Sequence, residues 1–253
     1  MLDSIKMEDI RGIAREAGSA IMEIYQKDFS VEFKDDNSPL TEADIVSNRI
    51  ICSGLEKQYP HIPILSEENQ EILYSVRKEW DYYWCIDPID GTKEFIKKNG
   101  EFTINIGLLY KGRPVLGVVY APFLNEMYDA KKGFGAYKNG KKLPLKVNVN
   151  PKKKLTVVAS KSHLSKETQD FIDTFDTEEI EQVSKGSSLK ICMVAEGVAD
   201  IYPRLAPTME WDTAAAHAII LEVGKEMIRY VDRKPLIYNK ENLLNPWFIV
   251  RSK

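Results

Sequence analysis

Five apolar residues, Tyr82-Tyr83-Trp84-Cys85-Ile86, run without a polar break into Asp87-Pro88-Ile89-Asp90-Gly91-Thr92. A run this short, continuous and aromatic reads as a buried strand. At its end stand two carboxylates three apart, a proline that fixes one φ and a glycine that permits a sharp turn. Asp87 and Asp90 can face one hard cation, and the Ile89 carbonyl between them can supply a third oxygen. The amides of Gly91 and Thr92 open a short helical stretch, Thr92 to Lys98, where a phosphate oxygen is welcome. Asp-Gly is also a strong turn signal, so a plain β-turn accounts for the hexapeptide equally well until the rest of the chain is weighed.

With 253 residues the chain can bury an ample core in one large domain or two modest ones. Its net charge of -3 argues against a binder of nucleic-acid polymers, but leaves room for a small anion held by local cations and metal. The three cysteines, Cys52, Cys85 and Cys192, are scattered and odd in number, which suits reduced thiols in a cytoplasmic protein better than disulfides or zinc. Asp3, Glu8 and Asp9 interrupt the N-terminus, so it does not read as a signal peptide. No apolar run approaches the ~18 residues of a spanning helix, so no transmembrane segment is expected.

Ile10, Ile13, Ala14, Ala17, Ile21, Ile24 and Tyr25 recur every three or four residues and predict an amphipathic helix. Ser30 to Lys34 alternates like a strand. Residues 38–44 open a second helix with Val46, Ile50, Ile51 and Leu55 inward. Thr41 and Asp44 form a capping box there, which by itself explains both residues. Ile62 to Leu65 is a short strand followed by Ser66-Glu67-Glu68. A pair of acids there is ordinarily a solvated helix start. It converges with Asp87 and Asp90 only if this strand neighbours the next one.

From Phe102 the pattern alternates through a β-meander with a hairpin at Asn139-Gly140. Residues 1–150 therefore read as an α+β half, an antiparallel sheet flanked by the two early helices. The polar stretch Lys146 to Lys154 marks a boundary. Beyond it, strands at 155–159, 180–183 and 198–202 alternate with helices at 165–175, 187–196 and 212–222. Residues 151–253 thus read as an α/β half with a mostly parallel sheet. Asp212 is read as the N-cap of the last helix, with a free oxygen that can also serve a cation. Gly186-Ser187-Ser188 caps another helix with Lys190 one turn in. Ser160 to His163 follows a parallel strand end, where α/β sheets place ligands, though a lone histidine is more often a surface residue.

Glu67-Glu68 after a strand, then Asp87 to Thr92, then Trp211-Asp212-x-x-Ala215 resemble the signature of the lithium-sensitive, magnesium-dependent phosphomonoesterases. That superfamily contains the inositol monophosphatases, the fructose-1,6-bisphosphatases and the 3′(2′),5′-bisphosphate nucleotidases, and the resemblance runs through essentially the whole chain. Residues 38–44, 100–120, 160–163, 186–190 and 202–211 are most similar to the bacterial CysQ branch. Members of that branch remove the 3′-phosphate of 3′-phosphoadenosine 5′-phosphate, a by-product of sulfate assimilation.

The resemblance implies a layered αβαβα sandwich and two or three Mg²⁺ held by Glu67, Asp87, Asp90, Asp212 and the Ile89 carbonyl. It implies that Asp44 reaches a third metal or accepts a hydrogen bond from Thr92, and that Glu67, Asp44 and Thr92 act in catalysis. Asp90, Gly91 and Thr92 would hold the scissile phosphate, and His163, Ser188, Lys190 and Arg204 the nucleotide, with Glu67 and Asp212 also binding substrate. It further implies Li⁺ inhibition, a role in sulfur metabolism, a monomer or homodimer, and a cytoplasmic enzyme open to peripheral inner-membrane association. Ala206 and Ala216 depart from the glycines of the branch and would narrow the nucleoside pocket. The nearest rival is an inositol monophosphatase. Against it, Lys93-Glu94-Phe95 follows Asp-Gly-Thr, and Arg204 stands where those enzymes carry an acid. A non-catalytic nucleotide sensor is the rival of another class, and the five retained carboxylates weigh against it.

Overall fold

The computed structural model describes residues 1–27, 31–33, 39–69, 71–148, 150–159 and 165–252. Helix α1 (Met7–Tyr25) buries Ile10, Ile13, Ala14, Ala17 and Ile21 on the stripe that their spacing defines. Strands β1 (Val31–Phe33) and β2 (Pro39–Thr41) pair antiparallel just before α2 (Glu42–Gln58). The expected capping box starts α2: the Thr41 amide donates to Asp44 Oδ2 at 2.7 Å. Then come β3 (Ile64–Ser66), the one-turn α3 (Tyr74–Arg77), β4 (Tyr82–Asp90) and the short α4 (Thr92–Ile96). The meander comprises β5 (Thr103–Tyr110), β6 (Arg113–Ala121), β7 (Glu126–Lys131), β8 (Gly135–Lys138) and β9 (Lys141–Lys142). These strands and the two before them form one seven-stranded sheet in the order β3-β4-β5-β6-β7-β8-β9. β3 runs parallel to β4, with Ser66 opposite Ile86, so Glu67 emerges beside Asp87. The neighbouring-strand condition set by the sequence is therefore met.

The second half contains β10 (Lys154–Val158), α5 (Lys166–Ile172), β11 (Glu179–Val183), α6 (Leu189–Glu196), β12 (Ile201–Arg204) and α7 (Glu210–Glu222). It closes with β13 (Glu226–Arg229) and β14 (Phe248–Arg251), two strands that the alternation of the sequence did not reveal. The sheet order is β11-β10-β12-β14-β13; the first three strands pair in parallel, and β14 alone runs opposite, antiparallel to both β12 and β13. The expected mostly parallel sheet holds in strand direction, but its pairing is mixed, because the last strand β14 inserts antiparallel between β12 and β13.

Alternation along the strands builds the layers. Trp84 and Ile86 of β4 face α1 and α2, whereas Tyr83 and Cys85 face α6 and α7. On the second sheet Tyr202, Phe248 and Val250 face that same helical layer, while Ile201 and Ile249 pack on the outer side with Ile172 of α5. The result is the αβαβα sandwich. The central helix α7 lies unusually close to the large sheet. An added Cβ on Gly107 would meet Ala215 N at 3.0 Å, and one on Gly117 would fall inside contact of the Ala215 carbonyl. The small residues Ala214 and Ala215 make that approach possible, and the approach carries the N-terminus of α7 to the end of β4. Cys52, Cys85 and Cys192 are free thiols. No helix among the described residues is long and apolar enough to cross a membrane.

Candidate active site

β4 keeps regular pairing with β5 to Asp87 and then breaks register before Asp90. This bulge is where the proline removes a donor and the ladder must be re-aimed. One carboxylate oxygen from each of Asp87, Asp90 and Asp212 lies within 4.8 Å of the other two. Asp212 reaches them from α7, but not as the N-cap. Helix α7 begins two residues earlier, and Asp212 is its third residue, accepting the Met209 amide at 2.9 Å. The start is fixed from outside the helix, because Glu210 N donates to Leu243 O at 3.0 Å and Met209 bridges Leu244.

Glu67 joins this group through a hydrogen bond with Asp87. It lines the same cavity of about 420 Å³, together with Ile89, Gly91 and Thr92. Burial raises the Asp87 carboxyl well above the usual carboxylate range, and the charges of Glu67, Asp90 and Asp212 add to that rise. Burial and the neighbouring Asp90 likewise push Asp212 up to about 8, against the downward pull of the Met209 amide and Arg204. Carboxylates arranged this way repel one another unless protons or a cation stand between them. The donors are all oxygen, so the set suits a hard divalent cation rather than a soft one.

Asp44 lies behind this group. Its Oδ2 accepts the Thr41 hydroxyl at 2.6 Å, and its Oδ1 lies 3.3 Å from Thr92 Oγ1. The Thr92 hydroxyl is equally 3.3 Å from the Ile89 carbonyl. Gly91 turns the chain into α4 at φ 92°, a left-handed conformation that favours glycine. A side chain there would also press on Ser187 Cβ at 3.3 Å.

A second cavity of about 60 Å³ adjoins the first and shares Asp90 and Asp212 with it. Lys190, Arg204, Tyr202 and Phe248 are among its other walls. Lys190 Nζ donates to the Lys185 carbonyl at 3.3 Å, and Arg204 Nη2 to the Pro207 carbonyl at 3.0 Å. Arg204 Nε is buried with no partner among the described residues. A second residue differs from its sequence reading. Ser188 does precede α6, but its hydroxyl makes no cap bond. It lies instead 2.7 Å from Asp90 Oδ2 and 2.6 Å from the Asp212 carbonyl, so it joins β4 to α7. His163, with residues 160–162 and Ser38, lies outside the described residues.

Sequence reasoning missed Asn105. Its Nδ2 donates to Ser188 Oγ at 2.9 Å and lies 3.3 Å from Asp90 Oδ2. On an alternating strand it reads as solvent-facing, and only the layer of α7 buries it. Ser47 was missed likewise, and its hydroxyl donates to the Pro88 carbonyl at 2.8 Å. Ala216 belongs to the core between α7 and the sheets, and is not a wall of either cavity.

The model of the inositol monophosphatase family matches residues 6–247. The chain is 45% identical over 247 residues, 96% of its length and 98% of the relative's, to the 3′(2′),5′-bisphosphate nucleotidase CysQ of Escherichia coli O6:H1. It matches the crystal structure of CysQ from Bacteroides thetaiotaomicron at 44% identity and a TM-score of 0.87, covering 97% of this chain and 96% of that one. A fold likeness alone extends to the suhB protein of Bartonella henselae, at 22% identity and a TM-score of 0.77 over 98% of this chain and 93% of that one.

Proposed function

The chain belongs to the inositol monophosphatase family, and on that premise we propose that it is a metal-dependent 3′(2′),5′-bisphosphate nucleotidase. It removes the 3′-phosphate of 3′-phosphoadenosine 5′-phosphate, leaving AMP and phosphate. The observation that carries this reading is the pair of adjoining cavities, one acidic and one bearing Lys190 and Arg204, joined at Asp90 and Asp212. A substrate with two separated phosphates needs such a pair. A small monophosphate needs only the first.

In this reading Glu67, Asp87, Asp90, Asp212 and the Ile89 carbonyl hold two or three Mg²⁺. When bound, the cations supply Lewis-acid stabilisation of phosphoryl oxygens and bring the pKa of a water toward neutrality. The chain's own residues do the remainder. Thr92 directs its hydroxyl proton to Asp44 Oδ1, 3.3 Å away, so its oxygen is left to accept a proton from the attacking water. Asp44 takes the proton relayed through that hydroxyl, and Glu67 orients the water from the opposite wall. The amides of Gly91 and Thr92 hold the scissile phosphate. Lys190 and Arg204 hold the other phosphate, with Ser188 and His163 toward the nucleoside. Arg204 is suited to the role because its buried Nε retains an unused donor. Li⁺ inhibition and a place in sulfur metabolism follow from the same reading.

The test is phosphate release from a panel of the adenosine bisphosphate, inositol monophosphate and fructose 1,6-bisphosphate, each with Mg²⁺ and with excess chelator. The bisphosphate is expected to be turned over fastest, and only with the metal. Full activity in chelator, or faster turnover of inositol monophosphate, would sink the reading. Arg204→Glu sharpens the test. One partly desolvated charge-assisted contact is worth ~1.5–3 kcal/mol, so kcat/KM for the bisphosphate should fall about tenfold to a hundredfold relative to a small monophosphate. An unchanged ratio would remove Arg204 from nucleotide recognition.

A further inference from the structure

Behind the acidic cavity lies a second group of buried charges that the proposed chemistry does not use. Glu210, the first residue of α7, is fully buried. Its Oε2 accepts the Asn239 amide at 2.7 Å, and its Oε1 accepts the Lys240 amide at 3.0 Å and the Lys240 ammonium. Arg77, at the end of α3, is buried to 3% exposure. It faces the same segment from the other side. Its Nη1 donates to Asn239 Oδ1 at 2.9 Å and lies 3.2 Å from the Lys240 carbonyl. Asn239 Nδ2 returns a bond to the Arg77 carbonyl at 2.6 Å. Arg77 Nε also holds the Ile72 carbonyl at 3.0 Å, within the segment that leads away from Glu67.

A buried carboxylate and a buried guanidinium are costly unless fully bonded, and here both are bonded to residues 239 and 240, with Arg77 also reaching the Glu241 carbonyl. One end of this chain of contacts fixes the stretch that follows Glu67. The other fixes the first turn of α7, two residues before Asp212. Within the αβαβα sandwich these two acids come from different halves of the chain, and β3 is an edge strand of its sheet. We infer that Arg77, Asn239, Lys240 and Glu210 form a latch that positions Asp212 against Glu67, and so sets the cation affinity of the site. Arg77 and Glu210 are positioning residues, acting through the acids and not on the substrate. The inference rests on the reading of those acids as cation ligands.

The experiment is direct Mn²⁺ binding, read from the electron paramagnetic resonance of free Mn²⁺, on wild-type protein and on Glu210→Gln, with folding checked by circular dichroism. Partners that orient metal ligands typically change metal affinity about 10- to 100-fold when removed, and a loss in that range is expected here. Activity of the variant should recover toward wild type at saturating Mg²⁺, with KM for the substrate unchanged. Lys240→Met removes only the partly exposed ammonium from Glu210, so it should fold and weaken Mn²⁺ binding less. Arg77→Lys keeps the charge but loses the fork, and should weaken it too. Wild-type Mn²⁺ affinity in folded Glu210→Gln overturns the latch. If that variant does not fold, wild-type affinity in both Lys240→Met and Arg77→Lys overturns it. A wild-type protein that binds no Mn²⁺ fails differently, because it removes the metal centre and with it the proposed function.

Discussion

Stripping the divalent cation should make the protein less stable as the pH rises, the reverse of what paired carboxylates ordinarily do. In the metal-free protein the Asp212 carboxyl sits at about 8, because of burial and the neighbouring Asp90. In the unfolded chain it titrates near ~3.9. Between those values the folded state keeps a proton that the unfolded state has released, so unfolding is favoured as pH increases. The contribution is fully present below about pH 4 and is lost as the pH rises through the folded value. With one proton at stake the slope is ~1.4 kcal/mol per pH unit, or about 4 kcal/mol between pH 5 and pH 8. Asp87 is raised in the same direction, so it steepens the slope wherever it too keeps a proton that the unfolded chain has released. A bound cation takes the place of those protons and flattens the curve. The assay is urea unfolding in chelator and in excess Mg²⁺ across that range, with ~0.9 of a proton from Asp212 released on Mg²⁺ binding at pH 7, counted by calorimetry in two buffers. Parallel curves with and without the ion, or a chelator curve that rises with pH, would refute the reasoning.

Asp87→Asn is expected to lower turnover by roughly a thousandfold, about 4 kcal/mol, since it removes charge from the central acid. It should leave the fold intact, because the amide resembles the protonated acid of the metal-free protein and can still accept the Ile89 amide, now 3.1 Å from Asp87 Oδ1. Near-normal turnover in the folded variant would move the active site elsewhere. Gly117→Ala drives a methyl into the Ala215 carbonyl. It should therefore destabilise the protein by ~1–3 kcal/mol and weaken Mg²⁺ activation by lifting α7, and an unaltered unfolding midpoint would refute the close approach. Buried His217 titrates at about 3, because burial disfavours its charged form. Its stabilising contribution is present above about pH 6.5 and is lost as the pH falls toward the folded value, ~1.4 kcal/mol per unit. His217→Gln should remove that acid slope when stability is compared at pH 6.5 and about pH 5, and an equal slope in both proteins would contradict it.

The local chemistry of this protein is written in short sequence windows. Thr41 and Asp44 specify their own capping box, because all the atoms involved lie within one turn. The run from Tyr82 to Thr92 specifies a buried strand ending in two acids, since apolar continuity, a proline and a glycine are local properties. The spacing of Ile10 to Tyr25 likewise specifies α1. What the windows do not contain is which surfaces are covered. Asn105 looks like an outward residue until α7 lies over it, and it then ties Asp90 to Ser188. Asp212 looks like a cap until the chain near Leu243 and Leu244 starts the helix at Glu210 and makes it the third residue. The antiparallel edge of β13 and β14 was equally hidden, as strand direction depends on where a connection returns. The acidic cluster, in the same way, has its residue types set by sequence, but Asp87, Asp90 and Asp212 bring their carboxylate oxygens within 4.8 Å of one another only in the packed fold. Side chains encode their own torsional and charge preferences, but burial, which decides whether a carboxylate titrates at about 8 or in its ordinary range, belongs to the packed layers around it.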